Sequence, residues 1–460
     1  MLLFVTILSS SEFGSVSSTT LNTTNGDQQI LFLIKSELSD PLRALASWSN
    51  ESTTFCQWQG VRCNNQTRVT TLDLDSLQLT GPLSPYIANL TFLQTINLPG
   101  NHFFGRISLD FGQLSRLQYL NLSSNSLEGE IPAMLFSSPS LISIDLSKNN
   151  FKGDIPSLGN NPLPQLLHVS LKRNNLTGTI PKSIGNISSL TYLDLSENLV
   201  KGRIPVNLGI HSNLQHLDLS LNYLLGDVPN SLYNITSLSY LDLSYNELNG
   251  QIPSTIGYTL PNIQTLNLGV NTFTGPVPTS LSNASSLVKL VLTANSLDGE
   301  VPHNIGLLHN LSYLDLSWNN LESGDWSFLS SLSNCKKLRF LNLNGNNLTG
   351  SLPSTVGNLT TELEILLMGK NNISGSIPYE IGNLVNLTAL YFDRNLLTGI
   401  VPPTIGSLRN LQTLQLSTNM LYRSNPIFCW KPDTTESALV NGKPVNWYDT
   451  HNYWKLQKFA

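Results

Sequence analysis

The chain has 460 residues, only 12% of them charged, with a net charge of -5. Asn, Ser, Thr and Gly fill the places that Lys, Arg, Asp and Glu usually take on a soluble surface. A weakly acidic surface without clustered Lys and Arg argues against nucleic acid as a partner. No run reaches the roughly 18 apolar residues of a membrane span.

From the N-terminus, Met1 to Leu8 is apolar but short and has no basic flank, so residues 1–24 read as a signal-like leader and a Ser/Thr-rich joint. Residues 25–68 read as a cap. Asp27 is expected to N-cap a helix whose apolar face includes Ile30, Leu31, Ile34 and Leu38, with Pro41 ending it. Trp48 and Trp58 add bulk. Cys56 and Cys63 stand close together with no further metal-ligand spacing nearby, which reads as a disulfide in an oxidising compartment. Cys335 and Cys429 are too many coils apart to pair, and Cys335 reads as a buried free thiol.

From Val69 to Leu421 one pattern recurs fifteen times, L-x-x-L-x-L-x-x-N-x-L, mostly at 24-residue spacing. Its third copy runs Leu117, Leu120, Leu122, Asn125, Leu127. A unit this short cannot bury its own apolar face and must stack on its neighbours. The alternation in L-x-x-L-x-L is that of a short strand. Parallel stacking of these strands builds a sheet on the inner face of a curved solenoid. The Asn, replaced only by Leu77 in the first copy, is expected to bond backbone groups of the adjacent coil. Eleven copies continue into Gly-x-Ile/Val/Leu-Pro, followed by segments such as Ser183 to Asn186 that fit a 3₁₀ turn outside. The stretch Asn320 to Cys335 breaks this rhythm, and the aromatic-rich residues 422–460 carry no repeat.

Exposed positions follow from the alternation. The third motif position carries Tyr119, Tyr192, His216, Tyr240, Lys289, Tyr313 and Phe340. The eighth carries Leu221, Tyr245, Val270, Ala294 and Trp318 in five successive copies, and Val291 stands where Asp or Asn is usual. These residues are expected to form an apolar lane across repeats 7 to 11, flanked by Lys172 and Arg173 before it and Lys370 and Arg394 after it. Exposed aromatic clusters tend to be binding sites. Isolated exposed hydrophobes on a drifting surface are the plainer reading. The Asp column (Asp194, Asp218, Asp242) reads as repeat consensus that hydrogen-bonds along neighbouring strands, with no metal site. His168 and His216 read as surface residues without carboxylate partners. Fourteen Asn-x-Ser/Thr sequons occur. Asn89, Asn186, Asn234, Asn283, Asn358 and Asn386 fall in the segment leading into the next strand, compatible with glycans on one edge.

The 24-residue spacing with L-x-G-x-I-P, the cap sequence from Ser47-Trp48 through Cys63 to Arg68-Val69, and Asp325-Trp326-Ser-Phe328 leading to Cys335 resemble the extracellular region of plant leucine-rich-repeat receptor-like kinases. The last of these is similar to a repeat of the immune-receptor subfamily. The resemblance implies an α/β solenoid, a plant-type leucine-rich-repeat right-handed superhelix with a parallel inner-face sheet and 3₁₀ turns outside. It implies an extracellular module that recognises a peptide or protein, a leucine-rich-repeat co-receptor, and no cofactor. Relatives continue into a membrane helix and a Ser/Thr kinase. Here no His-Arg-Asp or Ala-Pro-Glu occurs, so the chain reads as a non-enzymatic product truncated before both. A secreted inhibitor of cell-wall-degrading enzymes and a nonfunctional truncated product are the rival readings.

Overall fold

The computed structural model describes residues 24–50, 54–65, 67–157, 163–210, 212–422, 439–440 and 443–444. The leader, Cys429 and most of the tail lie outside the described residues. Fifteen parallel strands, from Arg68–Asp73 to Thr413–Gln415, stand side by side in one sheet, one per repeat. Each pairs with its neighbour in register, as Tyr192↔His216↔Tyr240 on three successive strands. Identical motif positions therefore form straight columns down the concave face.

Between these strands the chain turns back through a second set of short strands and then, in most coils, a 3₁₀ helix such as Lys182–Asn186, whose N-cap is Pro181. Gly226 shows why the Gly-x-Val-Pro segment needs its glycine. It lies inside the strand Tyr223–Asp227 at φ 79°, and a Cβ there would press on the Arg203 side chain at 3.2 Å. The glycine thus holds a left-handed position within a strand rather than a turn. The isolated Asp110-Phe111-Gly112 is a repeat turn, not a kinase motif: it sits in the 3₁₀ helix Leu109–Gln113 with Phe111 buried.

The consensus leucines make one continuous core. In the seventh coil Leu214, Leu217, Leu219 and Leu224 are at most 1% exposed, and the same cluster runs from Ile30 in the cap to Leu416. Truncating one such leucine to Ala costs roughly 2–5 kcal/mol.

The Asn column acts as expected. Asn222 Nδ2 donates to Leu195 O of the preceding coil at 3.0 Å and to Leu219 O and Ser220 O of its own. Its Oδ1 accepts from Val200 N at 3.0 Å. The same set recurs from Asn125 to Asn395. Leu77 is the exception because no repeat coil precedes it. Its own N–H, with that of Leu79, is accepted by Asn101 Oδ1.

The cap differs from expectation in one respect. The helix spans Thr24–Ser36, so Asp27 is inside its first turn and does not N-cap it. Its carboxylate instead accepts from Arg68 Nε and Nη2 and from Val69 N at 2.8 Å. The helix ends at Ser36, five residues before Pro41. Trp48 and Trp58 stack at 5.8 Å beneath it, and Cys56–Cys63 is a disulfide with α-carbons 5.5 Å apart. Cys335 is a buried free thiol, and burial pushes it up to about 11.

The interruption at Asn320 is filled by an α-helix, Ser327–Ser331, entered through Trp326 at φ 65°. That indole is buried and its Nε1 donates to Thr349 O at 3.1 Å, which ties the irregular coil to the next.

Candidate ligand-binding surface

Three columns face the concave side. The third motif position places His168, Tyr192, His216 and Tyr240 on four neighbouring strands. Their rings stack with centroids 4.2 Å apart and planes within 14° of parallel. Strand spacing of about 4.8 Å makes such stacking the natural packing of flat side chains in a parallel column. Farther along, Tyr313 and Phe340 stack at 4.1 Å, and Lys289 Nζ lies 5.1 Å from the Tyr313 ring. Tyr240, Lys289, Tyr313 and Phe340 are therefore half-buried, not freely exposed as the alternation implied, because neighbouring rings cover their faces.

The fifth position forms the Asp column. Its carboxylates are tied mainly to their own chain rather than along neighbouring strands. Asp194, Asp218 and Asp242 each accept through Oδ1 from the N–H and hydroxyl of the Ser two residues on. A link between coils occurs at Asp242 Oδ2, which accepts from Asn267 Nδ2 at 2.8 Å. Burial, opposed by the Ser220 bonds and reinforced by Asp194 and Asp242, pushes Asp218 up to about 6. Burial likewise drives His168 and His216 below their ordinary value, and with the Asp charges it pushes Tyr192 up to about 12. His216 is not an isolated surface residue: ligand-capable atoms of Asp194, His216 and Asp218 lie within 4.8 Å of one another. The register of adjacent strands creates this neighbourhood. Val291, predicted in the apolar lane, belongs to this fifth column and is only 8% exposed, so it offers no contact surface.

The eighth position is the lane proper. Leu221, Tyr245 and Trp318 are 46%, 54% and 52% exposed, with Val270 and Ala294 half-buried between them. All five have a left-handed backbone, φ 52° to 56°, which turns each side chain outward just before the ladder Asn. Lys370 Nζ closes the far end, 4.2 Å from the Trp318 ring centroid. At the near end Lys172 and Arg173 pair with Glu197 at 3.5 and 3.9 Å. Arg394 lies 4.0 Å from Asp393.

Sequence reasoning missed Leu199, Tyr223 and Leu225, which are 42–54% exposed beside Leu221. They widen the lane onto the flank of coils 6 and 7. For Leu199 and Tyr223 the available signal was their place just after the ladder Asn, where other coils carry Asn150, Asn175 or Asn347; Leu225 lies two residues beyond Tyr223.

Five of the six singled-out sequons share one place. Asn89, Asn186, Asn234, Asn283 and Asn358 each end a 3₁₀ helix and are exposed. Asn386 does not share it: Asn383 ends that helix, and Asn386 lies three residues on, half-buried, accepting from Asn410 Nδ2 at 3.3 Å.

Fold and surface together define a plant-type leucine-rich-repeat solenoid with an open concave face. The family models for the leucine rich repeat N-terminal domain match residues 24–64, and those for the leucine rich repeat match eight segments between residues 116 and 408. The chain belongs to the leucine-rich-repeat family, and its relatives are plant leucine-rich-repeat receptor-like kinases. It is 40% identical over 90 residues to the receptor kinase-like protein Xa21 of Oryza sativa subsp. japonica, covering 19% of this chain and 9% of that protein. The chain thus matches less than a tenth of that relative's length. Among solved structures it is similar to the plant peptide hormone receptor RGFR1 in complex with RGF2, with TM-score 0.67, 33% identity, and coverage of 74% of this chain and 57% of that one. It is also similar to the Arabidopsis receptor kinase HAESA in complex with the peptide hormone IDA and the co-receptor SERK1, with TM-score 0.58, 28% identity, and coverage of 86% and 82%. No kinase domain appears among the family matches, and no helix among the described residues is long and apolar enough to cross a membrane.

Proposed function

We propose that this chain is the ligand-recognition part of an extracellular receptor, and that it holds an extended peptide, or an extended edge of a protein, along the eighth-position lane. The observation that carries the reading is the run of outward-turned apolar side chains from Leu221 to Trp318, on a surface where neighbouring coils carry Lys, Arg, Glu or Gly. Five coils at about 4.8 Å span roughly 20 Å, the reach of about six extended residues. Relatives solved with peptide hormones support a peptide as the occupant. The Cys56–Cys63 disulfide supports an oxidising, extracellular setting. A co-receptor would then join the complex; HAESA is solved together with its peptide hormone IDA and the co-receptor SERK1.

The test is a Tyr245→Ala/Trp318→Ala double variant of the secreted chain. Its dissociation constant for a captured peptide ligand should rise at least tenfold while the melting temperature stays within about 2 °C, since both rings are more than half exposed. An unchanged dissociation constant moves the site elsewhere.

A further inference from the structure

The ligand lane leaves one cluster of the concave face unused. Asp194, His216 and Asp218 each bring a ligand-capable atom within 4.8 Å of the other two. The two aspartates are 4% and 6% exposed. Their Oδ1 atoms are fixed by Ser196 and Ser220, so neither carboxylate is free to turn away. The His216 ring is clamped between Tyr192 and Tyr240 at 4.2 Å on either side. Its Nε2 is buried and has no hydrogen-bond partner, a standing cost for a group that could donate or accept. Asp194 and Asp218 sit beside Asp242 in the same column, a line of buried negative charge. Among the described residues the ion pair that reaches this cluster comes from Lys172, whose Nζ is 3.9 Å from Asp194 Oδ2 and closer, 3.5 Å, to Glu197 Oε1.

We propose that Asp194, His216 and Asp218 bind one transition-metal dication of the zinc class. An imidazole nitrogen with two carboxylate oxygens is a donor set for such an ion, whereas calcium takes six to eight oxygens and magnesium keeps most of its waters. Bonds of about 2.1 Å at tetrahedral angles place donor atoms roughly 3.4 Å apart, so donor pairs as far apart as 4.8 Å must close by about 1.4 Å when the ion binds. The Tyr192 and Tyr240 rings fix the plane of the imidazole by packing on its two faces. Three protein ligands leave a further coordination position for water or for a carboxylate or imidazole of a bound peptide. Binding requires Lys172 to give up Asp194 and keep Glu197, which sets up direct competition between the ammonium and the metal.

Zinc chloride titrated calorimetrically into the EDTA-treated full chain at pH 7 tests this, with the metal alone as probe. The expected result is one saturable site, weakened at least tenfold in His216→Ala and Asp218→Asn. It is tightened several-fold in Lys172→Met and unaffected in His168→Ala, which lies in the same ring stack outside the triad. Magnesium and calcium chloride should give no saturable heat. No saturable zinc heat, undiminished zinc binding in His216→Ala, or an equal loss in His168→Ala overturns the proposal. Should His216→Ala fail to fold, Lys172→Met decides alone, and affinity left unchanged there overturns it. Zinc binding is measured without any peptide, so its failure leaves the peptide-lane reading untouched.

Discussion

Two adjacent columns run the length of the solenoid and behave in opposite ways. The ninth-position Asn residues are buried or half-buried, nearly uniform in identity, and fully engaged with backbone on two coils, as at Asn198, Asn222 and Asn319. The eighth-position residues immediately before them share one backbone conformation, φ 51° to 65° in all fifteen coils, yet include Ser, Lys, Arg, Glu, Leu, Tyr, Val, Ala, Trp, Gly and Thr. The left-handed backbone belongs to the eighth position and not to the ninth. Only the Asn side chain is needed to complete the hydrogen bonding between coils, so only that position is chemically constrained. The neighbour is free to carry recognition, and the fold tolerates a left-handed Trp or Val there at a cost of about 1–3 kcal/mol each.

The sharpest way to break this contrast is Asn222→Ala. It leaves the Val200 N–H unpaired and takes one of two donors from Leu195 O, Leu219 O and Ser220 O, which keep Asn198 Nδ2, Asn246 Nδ2 and the Glu197 N–H, and should lower stability by about 1–3 kcal/mol, read as a fall in the urea midpoint. A small change would mean that the column is not what joins the coils.

Asp218→Asn comes next and depends on pH. The native carboxyl is pushed up to about 6 from an ordinary 3.8, chiefly by burial, so the folded state binds the proton more tightly than the unfolded chain. Wild-type stability from this group is present below pH 4 and is lost as pH rises through 6. In EDTA the variant should melt higher than wild type at pH 7, and the gap should close on titration from pH 6 to pH 4. A gap that widens on acidification would contradict the sign. His168 and His216 act in the opposite sense, since their lowered values make protonation below about pH 6.5 costly to the fold.

Val270→Asn tests the strain at the eighth position. A β-branched residue at φ 56° is replaced by one that tolerates that region, and stability should rise by about 1 kcal/mol in chemical denaturation. The smallest effect belongs to Leu221→Ala, one residue before Asn222, which should move stability by less than about 0.5 kcal/mol because Leu221 is 46% exposed.

The fold was legible because its determinants are local and repeated. The leucine spacing, the ladder Asn and the Gly-x-Ile-Pro segment each act on the coil that contains them or the next one. The candidate surface was legible only in part. The exposure of Leu221, Tyr245 and Trp318 followed from their position, yet nothing in Leu, Tyr, Val or Trp announces a left-handed backbone, because those residue types seldom adopt it. Val291 was misplaced because it was grouped by its oddity rather than by its column. The closeness of His216 to Asp194 and Asp218 was missed because it brings together different motif positions on one strand and its neighbour, and only the exact register reveals it. Asp27 looked like a cap because its helix begins earlier than the pattern of apolar residues suggests. Its partner, Arg68, is 41 residues away.

The Asn spine has a mechanical consequence. It clamps the concave edge of every coil to the next through short, directional bonds, so the solenoid resembles a leaf spring that is stiff along one margin. Bending must be taken up mostly by the 3₁₀ turns on the convex side. A ligand lying from Leu221 to Trp318 would act as a strut across five leaves of that spring. Its grip would then depend on the curvature the molecule must hold, and on whether the ligand's length suits that curvature, as well as on the side chains it touches.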